Sequence, residues 1–543
     1  VNTPSSHGKW KGAVLIENDK PPRREYNTLK YLGRGPKRSD LKHKLQPYHK
    51  TLSENVKYLD AHLTSLRTLA GNKFVMVEPS IENVNLTITS FDNAKYSNFR
   101  DNFFEFGKEF LATQYGHIFP DGVASSEELH DYVDWTKSAG YTATASNIYS
   151  KGELVKDPLY LKSDYHLNNA NTVPIVSVAV KRELKKIDEV MANKIRLFFI
   201  SEFHLCLSQI KFGKRSSSRL KNFKWSAYGF SPWRGGVHEL AQKLLSKVCR
   251  FYYDVSGWDK FIPIMEDLYK VVSACSDIPD NLKTEFEWMI QNTIAFVCAL
   301  WDGDVILKNY GNCSGSGTTT RDNILMHIIL AATFLAEAYY IKNGVLPSVE
   351  VLAAQIVKLF GDDSVFAVDA EFDHVMHRKD ESDGFLRNFF ARYGMKLKFL
   401  HGGTDFPVDQ MEFLGFRFAL KNGRYVPYYD PVRLAHSFVH TNDRCDDLGA
   451  YISKCFVLTM MSYATEHCDL FLAAYKTLIT NVDKLPNQNP TVASFTNIGP
   501  LTEEILEAFY NGSESTLIDF SFFESVMEEV GIKESFDHEY GTS

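Results

Sequence analysis

Apolar runs and their spacing divide the chain into recognisable segments. VPIVSVAV from Val173 and KIRLFFI from Lys194 have the β-branched and aromatic content of strands. GVHELAQKLLSKVCR from Gly236 repeats its apolar positions at helical spacing and leads into FYYDV, a short aromatic strand whose end is Asp254. IVKLFGDDSVFAV from Ile356 is apolar on both sides of Gly361-Asp362-Asp363, which predicts a tight hairpin whose glycine supplies the unusual dihedral. DGFLRNFFARYG from Asp383 predicts a helix. MEFLGFRFAL and RYVPYYD flank Lys421-Asn422-Gly423, a strong hairpin signal, and from Pro431 onward the pattern is mostly helical. ILMHIILAATFLA from Ile324 is shorter than the roughly 20 residues of a bilayer span and contains His327, so it predicts a buried helix and no transmembrane segment. The order is a mixed N-terminal half, an α+β centre and a helical C-terminal lobe.

Length and composition narrow the class. At 543 residues the chain exceeds one ordinary core, so two or three subdomains are expected. Its 44% apolar and 23% charged residues are those of a globular protein, and a net charge of −7 argues against coating nucleic acid indiscriminately. Local basic surfaces stay open. The eight cysteines form no CxxC pair, which suits a reducing compartment without structural zinc. Charge is uneven: Lys9, Lys11, Arg23, Arg24, Arg34, Lys37, Arg38, Lys42 and Lys44 crowd the first 60 residues, whereas the stretch from Glu503 is acidic. Both ends read as solvated arms or, for the basic one, an RNA-facing segment. The chain opens at Val1 without an initiator Met or a signal-peptide core, as release from a precursor or a shortened chain would explain.

Acids near a core are costly unless a cation offsets them. Gly-Asp-Asp alone is an ordinary turn, but FYYDVSGWDK adds Asp254, with Asp259 five residues later. Two carboxylate-bearing strand ends side by side in one sheet suit Mg²⁺, which takes one or two carboxylates plus phosphate oxygens. A pair of such ions activates an attacking hydroxyl and stabilises a leaving pyrophosphate, the chemistry of nucleotidyl transfer. In GNCSGSGTTTRDNILMHIIL a Gly/Ser-rich loop feeds the apolar helix, with Thr319 and Asp322 spaced as a capping box. It also offers Ser314, Thr319 and Asn323 as neutral partners for a sugar 2′-hydroxyl beside Asp259. In VAVKRELKKIDEVMANKIRLFFI, Lys181, Lys185, Lys194 and Arg196 suit an incoming triphosphate.

These residues together resemble the RNA-dependent RNA polymerases of positive-strand RNA viruses, in the picornavirus-like supergroup that includes astrovirus and potyvirus enzymes, with partitivirus and picobirnavirus enzymes more distant. The resemblance runs from about residue 135 to 430 in the family's order. TKSAGY (136–141) looks like the template-channel motif and KREL…KIRLF like the triphosphate-binding fingertip. DVSGWD fits D-x4-D, SGSGTTTRDN fits S-G-x3-T-x3-N, and GDD completes the metal site. YGMKLKF and MEFLGF are similar to the segments that supply a general-acid lysine and grip the primer.

The resemblance implies Asp254 and Asp362 as principal metal ligands with Asp363 in support, and Mg²⁺, or Mn²⁺ in its place, as cofactor. It implies Asp259, Asn323, Ser314, Gly315 and Thr319 at the ribose, and Lys181, Lys185, Lys194 and Arg196 at the triphosphate. Lys396 would protonate pyrophosphate, although Lys398 lies two residues away on the same strand face and is not separated from it. Ser138 and Gly140 would border the template, and Phe413 and Gly415 the primer end. Asp188 and Glu189 stand where related enzymes often carry a base.

The implied architecture is an α+β right hand closed by N-terminal fingertips: arm, fingertips and fingers over 1–245, palm over 246–430 with a fingers insertion at about 262–300, and thumb over 431–543. Expected partners are template and nascent RNA, ribonucleoside triphosphates, a small protein primer and other viral replication proteins, in membrane-associated complexes of the host cytoplasm. Rival readings are a reverse transcriptase, which would normally place a bulky aromatic where Asp259 and Asn323 stand, a two-metal nuclease, and a non-enzymatic viral structural protein.

Overall fold

The computed structural model describes residues 8–12, 14–37, 46–48, 63–78, 80–92, 97–163, 172–181, 183–376, 384–440, 448–482, 490–513 and 518–531. At its centre is a four-stranded antiparallel sheet in the order Ile356–Phe360, Asp363–Val368, Cys249–Ser256, Lys396–Thr404. Successive side chains of a strand point to opposite faces, and Cys249–Ser256 sorts its residues accordingly. Cys249, Phe251, Tyr253 and Val255 enter one core, whereas Tyr252 enters the other. Asp254 shares the parity of Tyr252. Phe251 stacks on Phe366 across the pair at 4.6 Å, in register as opposite residues.

The first core is closed by the helix Thr319–Asn343, 25 residues long and buried along most of its length, as its apolar run predicts. Among the described residues it is the one helix long and apolar enough to cross a membrane; here it packs inside the protein. The helix Asn102–Tyr115 crosses it closely, because a Cβ on Gly107 would stand 2.6 Å from the Ile329 carbonyl oxygen. The second core joins the helix Gly236–Leu245, the small sheet Glu412–Phe413, Phe416–Lys421, Arg424–Tyr428, and the helices Pro431–Val439 and Leu448–Met461. The turn of that sheet is Asn422-Gly423, at φ 50° and 77°, as the sequence predicts.

A five-stranded sheet runs Lys30–Arg34, Asp304–Lys308, Phe296–Ala299, Ile175–Val180, Leu197–Ile200. Its edge corrects the expectation of a solvated basic arm. Arg23 donates its backbone N–H to Asp304 Oδ2 at 3.0 Å and its Nε to the Asp302 carbonyl at 2.7 Å, Arg24 pairs with Asp302, and Arg34 lies 3.8 Å from Asp304. Two aspartates next to the turn thus draw the segment onto the sheet. Arg38, Lys42 and Lys44 lie outside the described residues, as does the chain beyond Gly531.

Two local expectations also change. Asp254 is two residues inside its strand rather than at its end, because pairing with Lys396–Thr404 extends the strand to Ser256. Thr319 and Asp322 form no capping box. The helix begins at Thr319 itself, and the Asp322 carboxylate is taken by Arg321, Tyr269 and Thr318.

Candidate active site

Gly361 adopts φ +63° at the first central position of the two-residue turn between Phe360 and Asp363, the place where a hairpin of this kind takes glycine. The pairing of the two strands runs from Val368 opposite Cys249 to Phe366 opposite Phe251, ending three residues before both Asp363 and Asp254. Asp254, Asp362 and Asp363 line one cavity of about 530 Å³, together with Phe413, Gly415 and Arg417. Asp363 is turned to the backbone: its Oδ1 accepts the Ser364 N–H at 2.9 Å and its Oδ2 the Leu414 N–H at 2.5 Å. It thereby ties the hairpin to the turn at Leu414-Gly415, both left-handed.

Lys398 sits at a register shift between Leu397 and Phe399, and a bulge of this sort re-aims a side chain. Its Nζ reaches Asp254 Oδ2 at 2.8 Å. The hydrogen bond to Asp254, followed by the charges of Asp254, Glu189 and Asp362, holds the ammonium above its usual pKa. The structure therefore puts Lys398, rather than Lys396, against the acids; Lys396 lies opposite Ser256 and is exposed.

Among the described residues no three His, Cys, Asp or Glu side chains group as a metal cage. Mg²⁺ needs only one or two carboxylates from the protein and completes its shell with waters and phosphate oxygens, and Asp254 and Asp362 line one cavity. A lysine ammonium already stands against Asp254 and within the field of Asp362, so the donor set accepts a cation there.

A second cavity, about 640 Å³, adjoins the first through Asp362. On its wall Asp259 accepts from Ser314 Oγ at 2.6 Å and from Asn323 Nδ2 at 2.8 Å, while Trp258 Nε1 donates to Asn323 Oδ1 at 3.1 Å. Burial raises the Asp259 pKa against these hydrogen bonds and the nearby charges of Arg196 and Lys308. The left-handed Gly257 makes the turn that starts the short helix Trp258–Phe261, which carries Asp259. Thr319 does not join the Asp259 set. Its Oγ1 donates to the Cys313 carbonyl at 2.7 Å and accepts the Gly315 N–H at 3.1 Å, closing the loop on itself. Gly315 lies so close to the strand below that a Cβ would meet the Phe199 carbonyl oxygen.

Lys181 and Arg196 line the same cavity. With Lys185 they surround the buried Glu183, whose carboxylate lies 3.5 Å from Lys181, 3.2 Å from Lys185 and 3.9 Å from Arg196. Lys194 is exposed and lines neither cavity. Ser138 and Gly140 line neither cavity as well; Gly140, at φ +103°, packs against the Glu202 backbone and donates its N–H to the Ser138 hydroxyl oxygen at 3.2 Å.

Sequence reasoning missed Trp258, Glu183, Arg321 and the buried Lys308. Lys308 lies beneath the Gly311 turn, where burial lowers its amine to about 7. A basic or aromatic residue carries no sign of being turned inward, so only Glu183, an acid among bases, offered a signal.

Residues 114–471, about two thirds of the chain, match the family model of the viral RNA-dependent RNA polymerase, and the chain belongs to that family. It is 24% identical over 323 residues to the non-structural polyprotein 1AB of Turkey astrovirus 1, covering 55% of this chain and 20% of that protein. It is 24% identical over 290 residues to the genome polyprotein of Tobacco vein mottling virus, covering 49% and 8%. With the genome polyprotein of Plum pox potyvirus (strain El amar) it shares 25% over 280 residues, covering 47% and 16%. The chain thus spans a fifth or less of these relatives, and the astrovirus and potyvirus resemblance read from its motifs is borne out.

Proposed function

We propose that this chain is the template-directed RNA polymerase of an RNA virus, adding ribonucleoside monophosphates to an RNA 3′ end. One observation carries the reading: Asp254 and Asp362 line a single cavity that adjoins the Asp259–Asn323–Ser314 set through Asp362. Asp254 and Asp362 would hold Mg²⁺, which supplies activation of the 3′-hydroxyl and neutralises the leaving pyrophosphate. Asp363 keeps the hairpin seated. Lys181 and Arg196 receive the triphosphate, with Lys185 behind them, and Glu183 keeps the three cations gathered until it arrives. Asn323 and Ser314, already hydrogen-bonded to Asp259, present donor and acceptor groups to the ribose 2′-hydroxyl. Lys398 lies where it can donate a proton to pyrophosphate once substrate draws it from Asp254.

In the finer architecture proposed, 246–430 form a palm with a fingers insertion at about 262–300, 1–245 fingers closed by fingertips, and 431–543 a thumb. The fingertip–thumb closure is supported by Phe74, whose ring is 6.3 Å from His436 and beneath Arg433. Template and nascent RNA, a protein primer and other viral proteins would be its partners, in membrane-associated complexes of the host cytoplasm. Primed RNA template, labelled nucleotides and Mg²⁺ test the reading: extension with ribonucleotides and none with deoxynucleotides is expected. Strand cleavage, or no extension by the folded protein, refutes it.

A further inference from the structure

Behind the acids, on the opposite face of the sheet, one buried imidazole joins the two segments that carry them. His327 lies one turn beyond Asn323 on the helix Thr319–Asn343 and has no solvent exposure. Its Nδ1 is 2.7 Å from the carbonyl oxygen of Gly361, and its Nε2 is 2.6 Å from the hydroxyl of Tyr253. The carbonyl can only accept, so Nδ1 carries the proton, Nε2 accepts, and the Tyr253 hydroxyl donates. Burial lowers the imidazole to about 4, which leaves it neutral with one donor and one acceptor, as this chain of bonds needs. The Trp258 ring, 4.5 Å away, closes over it.

Tyr253 precedes Asp254, and Gly361 precedes Asp362. We propose that His327 is a positioning residue that sets the separation of the two metal-binding acids, by clamping the residue before each of them through Tyr253 and the Gly361 carbonyl. It touches neither substrate nor acid. The inference rests on the reading of Asp254 and Asp362 as metal acids. Because side chains alternate across a strand, holding Tyr253 on the helix side fixes where Asp254 emerges on the cavity side. Holding the Gly361 carbonyl likewise fixes the plane of the turn that presents Asp362. The same helix carries Asn323 to Asp259, so sugar reading and acid spacing share one rigid body.

The test uses the full chain and Mn²⁺ alone, with binding followed by the loss of the free-ion EPR signal. His327→Phe keeps the ring and removes both bonds; outer-shell partners of metal ligands are typically worth about 10- to 100-fold in affinity or activity, so Mn²⁺ affinity is expected to fall by about tenfold. Single-turnover rate should fall in step, with the KM for ribonucleotide and the affinity for RNA little changed. Tyr253→Phe, which removes one bond, should move both in the same direction by less. His327→Asn, which restores an N–H near the Nδ1 position, should recover part of the loss. Wild-type Mn²⁺ affinity in folded His327→Phe overturns the proposal, even with a lowered unfolding temperature, since that is what a merely structural role would give. If His327→Phe does not fold, Tyr253→Phe decides alone, and an unchanged Mn²⁺ affinity there overturns it. The binding arm needs no RNA synthesis, so a wild type that binds Mn²⁺ without extending RNA strikes the polymerase reading only, whereas a wild type that binds no Mn²⁺ overturns both.

Discussion

Lys398 Nζ lies 2.8 Å from Asp254 Oδ2, at the one place where the strand Lys396–Thr404 slips register against its neighbour. A cation is therefore already held beside the acid that the polymerase reading assigns to a metal. Two neighbouring lysines that the sequence leaves equivalent are made different by one bulge.

Lys398→Leu should slow the chemical step in single-turnover incorporation by about 10²-fold, the lower end of what general acids contribute. Lys396→Leu should change it little. Since Asp254 raises the Lys398 pKa above 10.5, the amine stays protonated across neutral pH in the free enzyme. Equal effects of the two substitutions would remove Lys398 from the proton-transfer role.

Asp362→Asn exchanges one charged oxygen for an amide at constant shape. Extension on primed RNA should drop by about 10²-fold or more, as for loss of a metal-held charge at a reacting phosphate, with unfolding temperature and RNA affinity close to wild type. Full activity would place the metal elsewhere.

Asn323→Ala strips a hydrogen bond from Asp259 Oδ1 and leaves Trp258 Nε1 without its acceptor. Preference for ribonucleotides over deoxynucleotides, measured as the ratio of kcat/KM values, should narrow by about tenfold, which corresponds to about 1.4 kcal/mol. An unchanged ratio would sever the set from sugar recognition.

Glu202 is a test of linkage remote from catalysis. Burial raises its carboxyl to about 7 against hydrogen bonds from Thr142, and the neighbouring His204, lowered to about 4, is neutral above that pH. Between pH 4.5 and 7 native Glu202 holds a proton that the unfolded chain has lost, which lowers stability as pH rises. Between about 4 and 6.5 the unfolded His204 holds a proton that the native imidazole lacks, which raises stability as pH rises and offsets the Glu202 effect. For Glu202 alone the fall is at most about 3 to 4 kcal/mol, at about 1.4 kcal/mol for each pH unit between 4.5 and 7. In denaturant unfolding the stability of Glu202→Gln relative to wild type should rise between pH 4.5 and 7 and level off above, which isolates the Glu202 proton from the opposing His204 one; parallel profiles would refute the buried-proton account.

Much of the centre was legible without coordinates. The aromatic run of FYYDV, the apolar flanks of GDD in KLFGDDSVF, the glycine before two aspartates and Asn422-Gly423 are local facts, because a turn's dihedrals and a strand's propensity depend on nearest neighbours. The apolar length of Ile324 to Ala336 likewise announced a buried helix, although its first turn was misread: Asp322 caps nothing, since Arg321 and Tyr269, distant in sequence or turned inward, claim its oxygens. The basic segment that looked like a solvated arm is pinned by Asp302 and Asp304, some 280 residues downstream.

The sequence by itself determined which residues carry chemistry and the order in which they occur, because carboxylates, amines and turn glycines act through their own covalent structure. Tertiary structure alone decided which of two lysines meets Asp254, that Asp363 serves the backbone, that Thr319 closes its own loop, and that His327 stands between Tyr253 and Gly361. Each of those depends on a register, a bulge or a helix crossing between segments far apart in the chain, and such contacts are fixed by packing rather than by any local pattern.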